Sequence, residues 1–189
     1  MPYARRGLQA ALPLLSCLAA AMPLHPAAAA DGPRARVAEY GEYTVRSETP
    51  RTEVDPTSTG VTERVASEGA RLLRRTSRVE ARLCVRFGAW FAAVGTGPDG
   101  MLPIVSRLTH PVLVRPDGRS GTEETDEGVL TGTPSLSGFR FDHPWEAVPG
   151  TWTFAVLSGG KVLAEQSFEV VPPPGGAGTD DGSCDAPVS

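Results

Sequence analysis

Between residues 150 and 171 the chain alternates on both sides of a Gly-Gly pair. Trp152, Phe154 and Val156 alternate with Thr151, Thr153 and Ala155, and Val162, Ala164, Phe168 and Val170 alternate with polar residues that include Lys161, Glu165 and Glu169. A period of two belongs to a strand with one buried face. Ser158-Gly159-Gly160-Lys161 supplies the residues that a tight hairpin turn requires. A β-hairpin is therefore predicted here, with Trp152 inside. One hairpin cannot cover its own apolar face, so the rest of the chain must supply a second layer.

The upstream residues supply further strands. Val37–Ser47 carries Val37, Tyr40, Tyr43 and Val45 and reads as a first strand with a bend or bulge at Gly41. Glu48–Thr62, rich in Thr, Ser, Pro, Asp and Gly, reads as a loop. Residues 63–75 fit a helix or a strand, with a strand over Ala70–Thr76 preferred because Gly69 breaks the helical spacing. Val79, Ala81, Leu83, Val85 and Phe87 then alternate with Arg78, Glu80, Arg82, Cys84 and Arg86, which predicts one half-buried strand. Ala89–Val94 is apolar on both sides and reads as a central strand, followed by a turn at Pro98-Asp99-Gly100. Leu102–Val114 returns, with Pro103 and Pro111 at an edge or bulge. Pro116-Asp117-Gly118 turns the chain again. Residues 119–134 read as a solvated loop, Leu136–Asp142 as a strand and His143–Gly150 as a corner. With turn signals between short strands and no reliable helix, the expected class is all-β: an antiparallel Ig-like β-sandwich of about seven strands. The Cys-Trp-Cys spacing of true immunoglobulin domains is absent.

The amino terminus reads as an export signal. Arg5-Arg6 precedes an apolar run from Leu8 to Leu24, and Ala27–Ala30 offers small residues for cleavage after Ala30. Pro13, Pro23 and His25 interrupt that run below the roughly 20 apolar residues of a membrane span, so no transmembrane span is expected after cleavage. Leu14-Leu15-Ser16-Cys17 resembles a lipoprotein site, with an unusual Leu two positions before the cysteine. The expected organisation is a signal peptide over 1–30, one sandwich domain over 31–174 and a disordered tail over 175–189, in a periplasmic or extracellular protein. Residues 31–189 carry 22 acidic against 16 basic side chains, which argues against a nucleic-acid binder driven by phosphate neutralisation.

Tyr40-Gly41-Glu42-Tyr43, Phe87-Gly88, Thr109-His110-Pro111, Pro116-Asp117-Gly118 and above all Trp145-Glu146-Ala147-Val148-Pro149-Gly150-Thr151-Trp152-Thr153-Phe154 make the chain similar to a bacterial exported family catalogued as domain of unknown function 3859. The likeness covers about residues 37–171. It implies an export signal followed by one small domain of unassigned role, and it brings no catalytic residues.

Candidate chemistry is sparse. His110 and His143 are the histidines beyond the leader, with Asp117, Asp142 and Glu146 as acidic company. They are the candidates for a general base or a metal site, although each precedes a proline, which holds the residue extended at a strand end. No nucleophile elbow, zinc-protease helix, phosphate loop or dinucleotide fingerprint is present, so neither an enzyme nor a cofactor is expected. Glu123–Glu127 and Asp180-Asp181 lack the spacing of a calcium loop. Cys84 and Cys184 could form a disulfide in an oxidising compartment, or stay an inert cysteine and a free tail thiol. Arg78, Arg82 and Arg86, with Arg71, Arg74 and Arg75 nearby, fall on one face of the expected strand, a row about 13 Å long that could grip phosphate or carboxylate groups. Alternatively it is a solvated face paired with Glu80 and its neighbours. Trp145, beside Pro144 at the corner, is the candidate surface platform. The expected role is a non-enzymatic exported module that binds a protein or a cell-envelope component.

Overall fold

The structure, a computed structural model, describes residue 32 and residues 34–45, 69–96 and 100–175. The leader with Cys17, residues 48–68, Pro98 and Asp99, and the tail from 176 with Cys184 carry expectations made above and lie outside the described residues. The described residues form nine strands, β1 Arg34–Val45, β2 Ala70–Arg74, β3 Arg78–Glu80, β4 Arg86–Val94, β5 Leu102–Val114, β6 Ser120–Leu130, β7 Ser135–Arg140, β8 Gly150–Ser158 and β9 Lys161–Val171. One sheet runs β2-β1-β4-β7 and the other β3-β9-β8-β5-β6. The β3–β9 pair is parallel and the other pairs are antiparallel.

The closing hairpin forms as its alternation requires. Gly159 and Gly160 both take positive φ, 56° and 78°, the conformation of a two-residue turn that matches strand twist. Trp152, Phe154, Phe168 and Val170 are buried. Val162, expected inside, is exposed, because the register slips between Val156 and Leu157 and carries it off the inner face. Across the gap, Phe87, Ala89, Phe91, Phe139 and Phe141 come down from the other sheet, and the two sets make one core.

β1 bridges β2 and β4 by changing partners at its bulges, with register shifts at Val37/Glu39 and Glu42/Tyr43. Gly41 lies between them at φ 146°, and a Cβ there would sit 2.0 Å from the Arg74 carbonyl oxygen. Gly41, Gly88 and Gly138 face one another across β1, β4 and β7, so a furrow crosses the sheet. Tyr43 fills it, since a Cβ on Gly138 would meet the Tyr43 hydroxyl. The Tyr43 ring also packs edge to face on Trp90 at 5.7 Å.

Three expectations are corrected. Nine strands replace about seven. The expected loop at 119–134 contains β6, paired with β5 along most of its length; Glu, Asp and Gly are poor strand formers, but an edge strand tolerates charge and pairing overrides propensity. The single strand expected from 79 to 87 is divided between the two sheets. After β3 the chain turns at Arg82–Val85, with Cys84 at φ 66° and the Cys84 amide donating to the Phe141 carbonyl at 2.8 Å, before entering β4. Val79, Ala81 and Phe87 remain buried through this change of sheet, so the alternation survives while the strand does not.

Candidate binding surface at an arginine-bearing edge

β2 and β3 are outer strands of opposite sheets, joined by only Arg75, Thr76 and Ser77. The Thr76 hydroxyl accepts the Arg78 amide at 3.0 Å and tightens that link. The short connection brings together five exposed guanidinium groups, Arg71, Arg74, Arg75, Arg78 and Arg82. Arg74 donates to Glu42 at 2.6 Å, Arg78 to Glu169 at 2.9 Å, and Arg82 lies 4.0 Å from Glu80. Arg75 sits over the Tyr40 ring, 4.9 Å from its centre. Arg74, Arg78 and Glu80, with Pro172 and Pro174, line a hollow of about 260 Å³. Exposed ion pairs of this kind are worth less than about 1 kcal/mol each, so an incoming anion can take over their guanidinium groups at small cost.

The strand geometry expected for the arginines is corrected by the structure. Arg78 and Arg82 belong to this edge, but Arg86 is half-buried in β4 of the other sheet, opposite Arg140. No row of three forms on one strand. Arg71, Arg74 and Arg75, which the sequence placed near the row, share the edge in place of Arg86.

Trp145 is half-buried rather than a bare platform. His143 stacks on it at 5.5 Å and 13°, and the Arg115 guanidinium lies over its ring at 5.4 Å. Arg115 and Arg119 also share Asp117, at 3.3 and 2.8 Å, and the hydrogen bonds from Arg119 hold that carboxyl down at about 2.

The corner that follows is a piece of architecture. Glu146 turns back so that its Oε2 accepts the backbone amides of Asp142 and His143 at 2.6 and 2.9 Å. The Val148 carbonyl accepts the Trp152 indole N–H at 3.1 Å. At Gly150, φ 145°, a Cβ would lie 2.6 Å from the Pro111 ring. The run from Trp145 to Trp152 thus owes its composition to closing the end of the sandwich. His110 belongs to the same end: it is buried on Trp152, with ring centres 5.0 Å apart, and its Nδ1 lies 2.8 Å from the Pro111 carbonyl. Burial pushes its pKa below the ordinary value. His143, by contrast, is exposed. Among the described residues no three His, Cys, Asp or Glu side chains converge as a metal-holding group.

Sequence reasoning did not foresee the buried charges Glu124, Arg140 and Glu146. Arg140 pairs with Asp142 at 2.5 Å. Glu146 is only 4% exposed; burial, reinforced by the negative charges of Asp142 and Glu124, raises its pKa to about 7 against the pull of the two amides. A carboxyl whose folded pKa is raised contributes stability at low pH and loses it as pH climbs from about 4.5 through about 7. Glu146→Gln keeps an oxygen acceptor without the charge. Its stability relative to the parent is expected to improve by on the order of 2 kcal/mol between pH 5 and pH 8. Paired thermal melts across that range measure this, and a difference that stays flat with pH would refute the shift.

Cys84, exposed on the turn between β3 and β4, is disulfide-bonded, and its partner lies outside the described residues. No helix among the described residues is long and apolar enough to cross a membrane.

Comparison with known proteins returns a family model described as "Domain of unknown function (DUF3859)", which matches residues 33–170. An immunoglobulin-like protein from Pseudomonas aeruginosa, solved by crystallography, is similar in structure with a TM-score of 0.51 and 24% sequence identity, over 72% of this chain and 96% of that one. That likeness establishes the immunoglobulin-like fold. No curated protein matches the chain.

Proposed function

We propose, on the premise that this chain belongs to the DUF3859 family and carries an immunoglobulin-like sandwich, that it is an exported, non-enzymatic module which binds an anionic protein or cell-envelope component through the edge formed by β2 and β3. The observation that carries the reading is the gathering of Arg71, Arg74, Arg75, Arg78 and Arg82 at one short connection, where Glu42, Glu80 and Glu169 are the carboxylates paired with them among the described residues. Guanidinium groups suit phosphate and carboxylate because they donate two parallel hydrogen bonds. Export is supported by the leader, and by the disulfide at Cys84, since such bonds persist in oxidising compartments. Once residues 1–30 are removed, Cys184 is the one other cysteine in the sequence and so the partner this reading gives it.

The reading of a hydrolase or metal-binding protein using His110 or His143 has weaker support. His110 is packed beneath Trp152 with one ring nitrogen at a backbone carbonyl, and His143 lies at the surface on Trp145.

Reversing two of the cations, Arg71→Glu with Arg75→Glu, is expected to weaken binding to a purified phosphate-bearing envelope glycan at least about tenfold, and added salt should weaken the parent in the same direction. Biolayer interferometry of parent and variant reads both effects. A double variant that binds as well as the parent would remove this edge as the binding surface.

A further inference from the structure

The arginine edge is also where the chain leaves the sandwich. β9 ends at Val171, whose carbonyl accepts the Ala81 amide at 2.7 Å, and Pro172 and Pro174 line the hollow beside Arg74 and Arg78. The chain then turns at Pro174-Gly175, where Gly175 takes φ 91°. The sequence that follows is acidic: residues 176–189 contain Asp180, Asp181 and Asp185 and no Lys, Arg or His. At the edge itself the cations are in excess. Glu42, Glu80 and Glu169 pair with Arg74, Arg82 and Arg78, while Arg71 and Arg75 have no carboxylate partner among the described residues.

We propose that residues 176–185 are the edge's own occupant, held there by a Cys84–Cys184 bond with Asp180 and Asp181 on Arg71 and Arg75, and that an outside anion binds by displacing them. The reading above supplies two premises, Cys184 as the partner of Cys84 and an anion as the outside ligand, and the contact with the edge can be seen without that ligand.

Chain length and charge carry the proposal. Cys84 stands three residues beyond Ala81, which is hydrogen-bonded to Val171. The exit from β9 and the return at Cys84 are thus separated by that bond and no more than about 11 Å of chain, with Arg82 between them. Residues 172–184 can extend over about 40 Å, so with the disulfide formed the surplus loops out and comes back, and Asp180 and Asp181 lie in it. The bond closes that loop in advance, so bringing the two carboxylates to the edge costs little further entropy. Their effective concentration there is the millimolar value of a short tether, whatever the protein concentration. A second copy of the chain, by contrast, would bring a like-charged edge and be repelled.

The first test needs no ligand and uses the protein with its disulfide intact. In NMR spectra, Asp180→Asn with Asp181→Asn is expected to move the backbone amide and Nε–H signals of Arg71 and Arg75 more than those of any other residue before 176. Asp180→Glu with Asp181→Glu should leave them near the parent positions. Cys84→Ser with Cys184→Ser, which releases the loop, should carry them most of the way to the positions of the Asn variant. The second test titrates pyrophosphate. The Asn variant is expected to bind it at least about fivefold more tightly than the parent, because fewer edges are already occupied. Glu127→Gln with Glu165→Gln, which removes the same charge from exposed positions elsewhere, should not tighten it. Shifts confined to residues 176–189, edge signals that ignore loss of the bond, or equal pyrophosphate affinity in the parent and the Asn variant would each overturn the proposal, as would a control pair that tightens binding as much. If no variant binds pyrophosphate while the edge signals still move as expected, the contact stands and the binding role of the edge falls.

Discussion

Trp152→Ala is expected to cost about 3–5 kcal/mol of folding stability, a large part of what a domain of this size has. The side chain is fully buried and holds both sheets at once. Its ring meets Phe139 at 5.0 Å, Phe141 at 5.5 Å and Phe87 at 5.7 Å from the facing sheet, and His110 at 5.0 Å on its own side. Its N–H also closes the corner at Val148. Alanine leaves a cavity that rigid neighbours cannot collapse into and a half-buried carbonyl without its indole donor. Urea titration followed by circular dichroism measures the loss. A midpoint change equivalent to less than about 1 kcal/mol would show that Trp152 does not anchor the core in this way.

The second large effect is expected at a position with no side chain. Gly88→Ala places a methyl group 2.3 Å from the Ser137 carbonyl oxygen and 2.6 Å from the Gly138 Cα, both backbone atoms of the strand paired with β4. A flexible side chain could swing aside, but a hydrogen-bonded strand must part from its neighbour. The cost is expected to be about 3 kcal/mol, at the upper end for overpacking. Gly128→Ala is the control, because its new Cβ meets only Ile104 at van der Waals distance; it should stay within about 0.5 kcal/mol of the parent. If the two variants melt together, the close approach of β4 and β7 is not a constraint on the fold.

Much of this architecture was legible from periodicity. The hairpin of β8 and β9, the central placement of Ala89–Val94, and the prolines of β5, with Pro111 at its bulge, follow from which residues must avoid water and which cannot donate. Where the reading failed, the deciding partner was distant in sequence. β6 looks like a loop because its Glu, Asp, Thr and Gly residues have little intrinsic preference for strands, and only the β5 ladder makes it one. Residues 78–87 alternate without interruption, yet nothing local reveals that Cys84 turns the chain from one sheet to the other. The arginine row failed for that reason, and the cluster that replaces it depends on β2 and β3 standing at the same side of two different sheets. The buried carboxylates escaped notice because Glu in a polar run resembles solvated Glu until its facing residue, here Leu108 for Glu124, is known.

Local chemistry thus determined, by itself, most of the apolar side chains that are hidden and the glycine turns at Gly118 and Gly159-Gly160, because alternation and φ preferences act over two to four residues. Strand partners, the sheet each strand joins, and the charges that meet at an edge were decided by the tertiary structure, because hydrogen-bond ladders and shared faces link residues that only the packed sandwich brings together.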